Sequence, residues 1–452
     1  MPNTTYRFPT GFLWGTATSS HQVEGANTNN NWSAWEKEPG RIVNGDSALV
    51  SCDWWNGKRW QEDFDRAAQT GQNAHRLSIE WSRIQPAPDR WDEEALAVYR
   101  SMLQGLCQRG LTPCVTLHHF TDPLWFTEMG GWENEESPKY FEAFVRKTVG
   151  FLKDDANFWV TINEPNVYNA MGYIMGVFPP GKTDLGAFFN VYRNLIRGHA
   201  LAYRTIHELQ PDAQVGFAFN MSSFKPKRAW LLTDRILAGV MDSAMNLAVP
   251  RTIATGTLSF LGKRCQIPEA RRTMDYFGLN YYTRYLVALK NPFNLNDFYS
   301  STFPEDADLS YNAFIANEPA GIYEWLHYAR SFGLPVYVTE NGVESADDHI
   351  RSRYLAQHIH QVWRAANNNW GVKGYFQWSL VDNFEWERGW TQRFGLWGLN
   401  PETQERIRRK SVDFYAEVCQ NNALSYETVE KYAPEALNKI FPPMDYKGFR
   451  PA

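Results

Sequence analysis

The chain reads as an α/β protein, a (β/α)8 barrel (TIM barrel) with inserted βα loops. Three observations predict this. Eight apolar runs of strand length recur along the 452 residues, segments of helical periodicity lie between them, and most runs stop abruptly in polar residues. The runs are nearly continuous in apolarity rather than alternating, as expected for strands covered on both faces in a parallel sheet. A doubly wound sheet would need a glycine-rich phosphate turn after an early strand, and no GxGxxG occurs. The length would also fit two or three domains. With no linker, low-complexity segment or charge block, one catalytic barrel domain over 1–452 is the expectation, since such barrels tolerate long insertions.

In chain order, the first run covers 12–18 and is followed by Ser19-Ser20-His21-Gln22. The second, 74–79, carries His75 and Arg76 and runs into Glu80-Trp81; the third, 112–117, ends in His118-His119. The fourth, Phe158-Trp159-Val160-Thr161-Ile162, closes on Asn163-Glu164-Pro165, and the fifth, 215–219, on Asn220. The sixth, 276–279, leads into Asn280-Tyr281-Tyr282, and the seventh, Val336-Tyr337-Val338-Thr339, into Glu340-Asn341-Gly342. The eighth spans 374–379 and includes Trp378. Apolar residues at three- and four-residue spacing predict helices over 59–70, 93–109, 138–152, 185–208, 322–332 and 352–367. Gly71, Gly110 and Gly333 stand where helix ends need a left-handed exit. Three stretches read as insertions: 39–57, 225–268 and 291–319, the last expected to order over the barrel mouth. The tail 441–446 is expected to run along the surface without helix.

Composition narrows the function class. With 45 basic and 50 acidic residues the net charge is −5, so no basic field draws in nucleic acid or anionic lipid. No run approaches the roughly 18 apolar residues of a membrane helix. Cys52, Cys107, Cys114, Cys265 and Cys419 form no CxxC pair and no His-flanked metal spacing, and read as reduced, buried thiols. With no secretory leader at the N-terminus, a cytoplasmic protein is the expectation. The 19 Trp, 22 Tyr and 28 Phe are mostly core residues by default, but also suit a cleft that stacks on the carbon faces of a ligand.

Strand C-termini of a barrel converge on one site. Here they supply Gln22, Arg76, His119, Asn163, Glu164, Asn280, Tyr282, Glu340 and Trp378. Amides, His, Trp and carboxylates together suit a ligand with many hydroxyls and a flat carbon face. Two carboxylates flanking an acetal carbon are what glycosidic cleavage needs: one protonates the leaving oxygen, the other attacks the carbon or activates water. No cofactor and no metal is called for.

The chain resembles family 1 of the glycoside hydrolases, the β-glucosidase-like retaining enzymes. The motifs are colinear from Phe8-Pro9-Thr10-Gly11-Phe12-Leu13-Trp14-Gly15 to Arg409-Lys410-Ser411. Between them lie Gln22-Val23-Glu24-Gly25, Arg76-Leu77-Ser78-Ile79-Glu80-Trp81-Ser82-Arg83-Ile84, Thr161-Ile162-Asn163-Glu164-Pro165 and Thr339-Glu340-Asn341-Gly342. Trp378-Ser379-Leu380-Val381-Asp382-Asn383-Phe384-Glu385-Trp386 and Arg393-Phe394-Gly395-Leu396 follow. A single four-residue match is weak; six in order are specific. The resemblance implies that Glu164 is the acid/base and Glu340 the nucleophile, with Arg76, Tyr282 and Asn280 supporting Glu340. It further implies that Asn163 binds the sugar 2-hydroxyl, that Gln22, His119, Glu385 and Trp386 hold outer hydroxyls, that Trp378 forms the platform under the ring, and that Phe394 completes the sugar pocket. Retention requires carboxyls about 5–5.5 Å apart, a protonated Glu164 and an ionised Glu340. His118 reads as structural.

The expected activity is that of an exo-acting β-glycosidase, most like a β-glucosidase also accepting β-galactosides or β-fucosides. Its partners are small-molecule β-glycosides or oligosaccharides, with neither nucleic acid nor membrane; monomer and homo-oligomer both stay open. The alternatives are a 6-phospho-β-glycosidase and a catalytically silent sugar-binding homologue. Glu385 would repel a 6-phosphate, although Arg388 is near in sequence, and an inert descendant would be expected to have lost a carboxylate or Asn163. The thioglucosidase branch replaces the acid/base by Gln, against Glu164 here. Two departures from the family pattern are His119-Phe120 in place of His-Trp, and Trp397-Gly398-Leu399-Asn400 after Arg393-Phe394-Gly395-Leu396.

Overall fold

The computed structural model describes residues 4–291 and 298–442. Eight parallel strands close into a barrel: β1 (Leu13–Ala17), β2 (Ala74–Ser78), β3 (Thr112–His118), β4 (Phe158–Asn163), β5 (Gln214–Asn220), β6 (Phe277–Tyr281), β7 (Val336–Asn341) and β8 (Val372–Trp378). Each pairs with its neighbours in sequence, and β8 returns to β1 with Gly374 opposite Leu13 and Trp378 opposite Ala17. β2, β4, β6 and β7 are buried along their whole length, which is why the sequence shows continuous rather than alternating apolarity.

Helices cover the barrel where the spacing predicts them. They span Trp60–Gln69, Glu93–Gln108, Ser137–Leu152, Leu185–Leu209, Pro319–Ala329 and Arg351–Asn367. Their ends follow local chemistry. Asp92 accepts from the Ala95 N–H and Asp184 from those of Gly186 and Ala187, satisfying donors that a helix start leaves free. Gly71 and Gly110 leave their helices at φ 74° and 73°.

The stretch 225–268, expected as an insertion, is itself built from regular elements. It holds a helix at Leu232–Met241, a six-residue π-helical bridge, a second helix at Ala248–Thr255, and a hairpin of Thr257–Phe260 with Lys263–Gln266. It therefore supplies helical cover between β5 and β6 rather than an excursion. Ser223–Pro226, Arg284–Leu289 and Tyr299–Thr302 form a three-stranded sheet at the mouth. Phe224, Leu237, Ala238 and Val287 make a small second core under it. The 291–319 stretch thus orders over the mouth in its described part; 292–297 lie outside the described residues. Of the tail, Phe441 is buried, and 443–446 also lie outside the described residues.

The cysteine expectation is corrected in part. All five are unpaired, but only Cys52, Cys114 and Cys419 are buried; Cys107 is exposed on its helix and Cys265 half-buried in the hairpin. The exposed position follows from the outer face of an amphipathic helix, where a small thiol meets no packing demand.

Candidate active site

β7 carries Glu340 to the mouth, and the pairing register slips there. Val338 pairs with Leu279, but Glu340 pairs with Asn280, so Thr339 is skipped, and a second slip separates Val338 from Asn341 on the β8 side. β4 slips likewise between Val160 and Asn163 against β5. Such irregularities re-aim side chains at strand ends. Gly342 is required by close approach: a Cβ there would lie 2.0 Å from the Trp378 carbonyl oxygen, so only glycine lets β7 and β8 end side by side.

Glu340 is 3% exposed. Arg76, fully buried on β2, donates from Nη1 to its Oε1 at 2.5 Å, and the Tyr282 hydroxyl donates to its Oε2 at 2.6 Å. The guanidinium is held by Thr116 Oγ1 at 2.9 Å through Nε and by Asn163 Oδ1 at 2.6 Å through Nη2. Burial pushes the Glu340 carboxyl upward, while Arg76, Tyr282 and Asn280 act against it by stabilising the anion.

Glu164 is 5% exposed and meets a different environment. Its backbone is left-handed, φ 43° and ψ 59°, a conformation costing about 1–3 kcal/mol for a non-glycine residue. Pro165 disfavours right-handed backbone in the residue before it and opens the helix Pro165–Tyr173, while the Glu164 N–H donates to Ala218 O at 2.7 Å. The turn is therefore over-determined. The side chain accepts from two neutral amides, Asn280 at 2.8 Å and Asn220 at 3.0 Å, with no cation hydrogen-bonded to it among the described residues. Burial, and next the charge of Glu340, push its carboxyl up to about 8.

Asn280, expected to support Glu340, favours that anion and also donates to Glu164 at 2.8 Å and to Asn163 Oδ1 at 3.2 Å. The Thr339 hydroxyl donates to Asn280 Oδ1 at 2.6 Å and so fixes which end of the amide faces the carboxyls. Asn163 uses its oxygen for Arg76 and Asn280 and donates from Nδ2 to His119 Nε2 at 3.1 Å. Since burial drives the His119 ring well below its ordinary pKa, the imidazole is neutral and its proton sits on Nδ1, which has no partner among the described residues.

Glu164, Glu340, His119, Asn163, Tyr282, Trp378, Glu385, Trp386 and Phe394 line one cavity of about 580 Å3. Trp378 and Trp386 lie nearly parallel to the His119 ring, at 5.9 and 6.0 Å between centroids, so flat faces bound one end. Gln22, expected at a sugar hydroxyl, is fully buried and does not line this cavity. Its amide donates to Phe384 O at 2.7 Å, Asn383 Oδ1 at 3.1 Å and Glu385 Oε2 at 3.4 Å, so it holds the Glu385 loop from beneath. Burial pushes the Glu385 carboxyl well above its usual range, and Glu387, Glu340 and Glu164 add to this. His118 is structural as expected, bonded to Asp122 at 3.0 Å.

Sequence reasoning missed Asn220, Thr116, Thr339 and Glu387. Asn220 ends the fifth apolar run, so its position was a signal; the others carry none. At the two departures from the family pattern, Phe120 packs on Trp386 at 5.1 Å, and Trp397 accepts the Asp382 N–H through its backbone oxygen at 2.9 Å. The second contact makes no demand on the side chain. Asp382 is further pinned by Arg409 at 2.7 and 2.8 Å, which steadies the segment leading to Glu385.

A closed parallel barrel with two buried, differently solvated carboxylates among Trp, amides and a neutral His defines a carbohydrate-active hydrolase site. Residues 4–424 match the model of glycosyl hydrolase family 1, and the chain belongs to that family. Beta-glucosidase A of Thermotoga maritima is 33% identical over 92% of this chain and 99% of its own length. A 1,4-beta-D-glucan glucohydrolase of Thermotoga neapolitana is 32% identical, covering 93% and 99%. Among solved structures, the beta-glycosidase from Pyrococcus horikoshii superimposes with a TM-score of 0.87 at 36% identity, covering 95% of this chain and 98% of that one. The chain is an O-glycoside hydrolase of the β-glucosidase type.

Proposed function

We propose that this enzyme is a retaining, exo-acting β-glucosidase, also accepting β-galactosides or β-fucosides, that removes terminal non-reducing sugars through a glycosyl-enzyme ester on Glu340. The observation that carries the reading is the asymmetry of the pair: Glu340 touches Arg76 and Tyr282, while Glu164 touches neutral amides only. An anion at Glu340 and a proton on Glu164 follow from that difference.

Glu340 attacks the anomeric carbon as Glu164 protonates the leaving oxygen. Esterification removes the negative charge that helped hold the Glu164 proton, so Glu164 becomes the base that activates water. In this reading Asn163 binds the 2-hydroxyl, Gln22, His119, Glu385 and Trp386 hold outer hydroxyls, Trp378 forms the platform under the ring and Phe394 completes the pocket, while Gln22 also steadies Glu385 from beneath. A Thermotoga maritima relative solved with glucoimidazole has a sugar-like ligand, consistent with a sugar in this site. The Glu340 anion on this cavity, with Glu385 and Glu387 beside it, opposes a 6-phosphorylated substrate more than Arg388 at the edge favours one. We read residues 1–452 as one catalytic domain, acting in the cytoplasm on the strength of its unpaired cysteines.

A 2-fluoro-β-glucoside tests the mechanism. Mass spectrometry of the digested, inactivated enzyme should find the label on the peptide bearing Glu340. A label elsewhere, or release of product with inverted configuration, would overturn it.

A further inference from the structure

The cavity has two chemically distinct ends. The inner end holds the carboxylates, amides and Trp described above. Beyond Glu164 the walls turn apolar, with Val167, Met171, Ile174, Phe188, Met241 and Met245 among the lining residues. Polar groups are few on this side: Asn220, Ser222, Ser301 and the hydroxyls of Tyr285 and Tyr299, with Glu387 and Arg388 at the edge. Asn220 is already committed, donating to Glu164 and accepting from the Ser222 hydroxyl.

The apolar lining also continues to the outside. Met175, Leu185, Val240 and Leu261 all line the cavity, yet are 54%, 51%, 40% and 60% exposed. Leu232 and Ile236 stand eight and four residues before Val240 on the same helix, about two turns and one turn away along one face, and are exposed as well. Large apolar side chains gathered at a cleft mouth mark a surface meant to be covered.

A sugar leaving group would need hydroxyl partners along its length, and a wall made mostly of thioethers, alkyl groups and the rings of Phe224, Phe260 and Phe314 leaves most such hydroxyls unpaired. Methionines in number suit a flexible apolar occupant, because their side chains adapt to it. We infer that the outer half of the cleft is a subsite for an extended aliphatic aglycone, so that the enzyme's substrate class is the β-glycosides of long-chain, hydrophobic alcohols. This rests on the β-glycosidase reading above and specifies its leaving group.

The experiment measures kcat/KM for n-alkyl β-glucosides from methyl to octyl below their micelle concentrations, beside cellobiose and cellotriose. The expected result is a rise of up to roughly fourfold per methylene until the groove is filled, as burial of each CH2 should give, with octyl glucoside exceeding both oligosaccharides. In Val240→Asn and Met175→Gln, both at exposed positions that fold safely, the octyl-to-methyl ratio should drop several-fold. That ratio does not depend on the fraction of active enzyme. A flat dependence on chain length with cellobiose or cellotriose preferred overturns the inference and leaves the β-glycosidase reading standing. A p-nitrophenyl glucoside matching octyl, with no chain-length gain, overturns it in favour of an aromatic aglycone. Inertness toward every β-glycoside overturns the functional reading itself.

Discussion

Glu164 and Glu340 are the same residue type at the ends of two apolar strands, both nearly sealed from water, yet their surroundings treat them oppositely. Around Glu340 the chain gathers a guanidinium and a phenol, and around Glu164 two carboxamides and a left-handed turn. Desolvation alone would raise both and leave them equivalent. The difference is made by what touches each carboxylate, and only Glu340 has a charge-assisted partner. A site can therefore assign two roles to one residue type through contacts alone.

The comparison can be broken first at Glu340. Glu340→Gly should lower kcat by about 10^4-fold or more, because no other group can form the covalent ester; normal turnover in this variant would remove Glu340 from the mechanism. Next in size, Glu164→Ala should lose on the order of 10^2- to 10^4-fold on unactivated glycosides. It should retain activity on aryl glycosides with good leaving groups and gain turnover when azide is added, since a small anion needs no base. Absence of rescue would argue against Glu164 as the base.

Tyr282→Phe sharpens the pair rather than breaking it. Losing the 2.6 Å hydrogen bond removes a donor that favours the Glu340 anion, so its carboxyl rises further and the acid limb of kcat/KM moves to higher pH, with a loss of roughly tenfold. An unmoved acid limb would assign the tyrosine a packing role. The smallest effect concerns Glu164. With its carboxyl pushed to about 8, kcat/KM should fall on the alkaline side near that pH. Asn220→Ala removes a donor that favours the anion, so this limb should shift upward by a fraction of a unit. For stability the sign is the same as for any raised carboxyl: the protonated form is fully favoured below the unfolded value near 4.5, and stability declines as pH rises from there through about 8. A melting curve flat across that window would dissociate the Glu164 proton from folding.

The barrel was legible because its signal is redundant. Each strand announces itself by a continuous apolar run and a polar stop, and the two glutamates stand at such stops. The helices at Trp60–Gln69 and Glu93–Gln108 likewise carry amphipathic spacing and glycine exits. The stretch at 225–268 was not legible as helix. Its two helices span only ten and eight residues and are joined by a π-helical bridge, so neither runs long enough for its spacing to register. The helix Pro165–Tyr173 is too short for periodicity to register. That Asn280 reaches both carboxyls depends on a register slip and on the Thr339 hydroxyl, and neither leaves a trace in residue spacing. Gln22 is matched to a sugar hydroxyl by the family resemblance, and its amide also donates to the loop across from it, a contact that residue spacing does not show.

Arg76 has a further consequence. It is a permanent cation sealed at the base of the site, with one nitrogen on Glu340 and another on Asn163. An interior of low polarity tolerates such a charge only beside an opposite one. In the resting enzyme Glu340 supplies it; once Glu340 is esterified, the proton leaves Glu164 and that carboxylate takes over. The three groups therefore sum to zero in both halves of the proposed cycle. The guanidinium acts as a fixed counterweight, and the negative charge crosses the site with each turnover while the total stays constant.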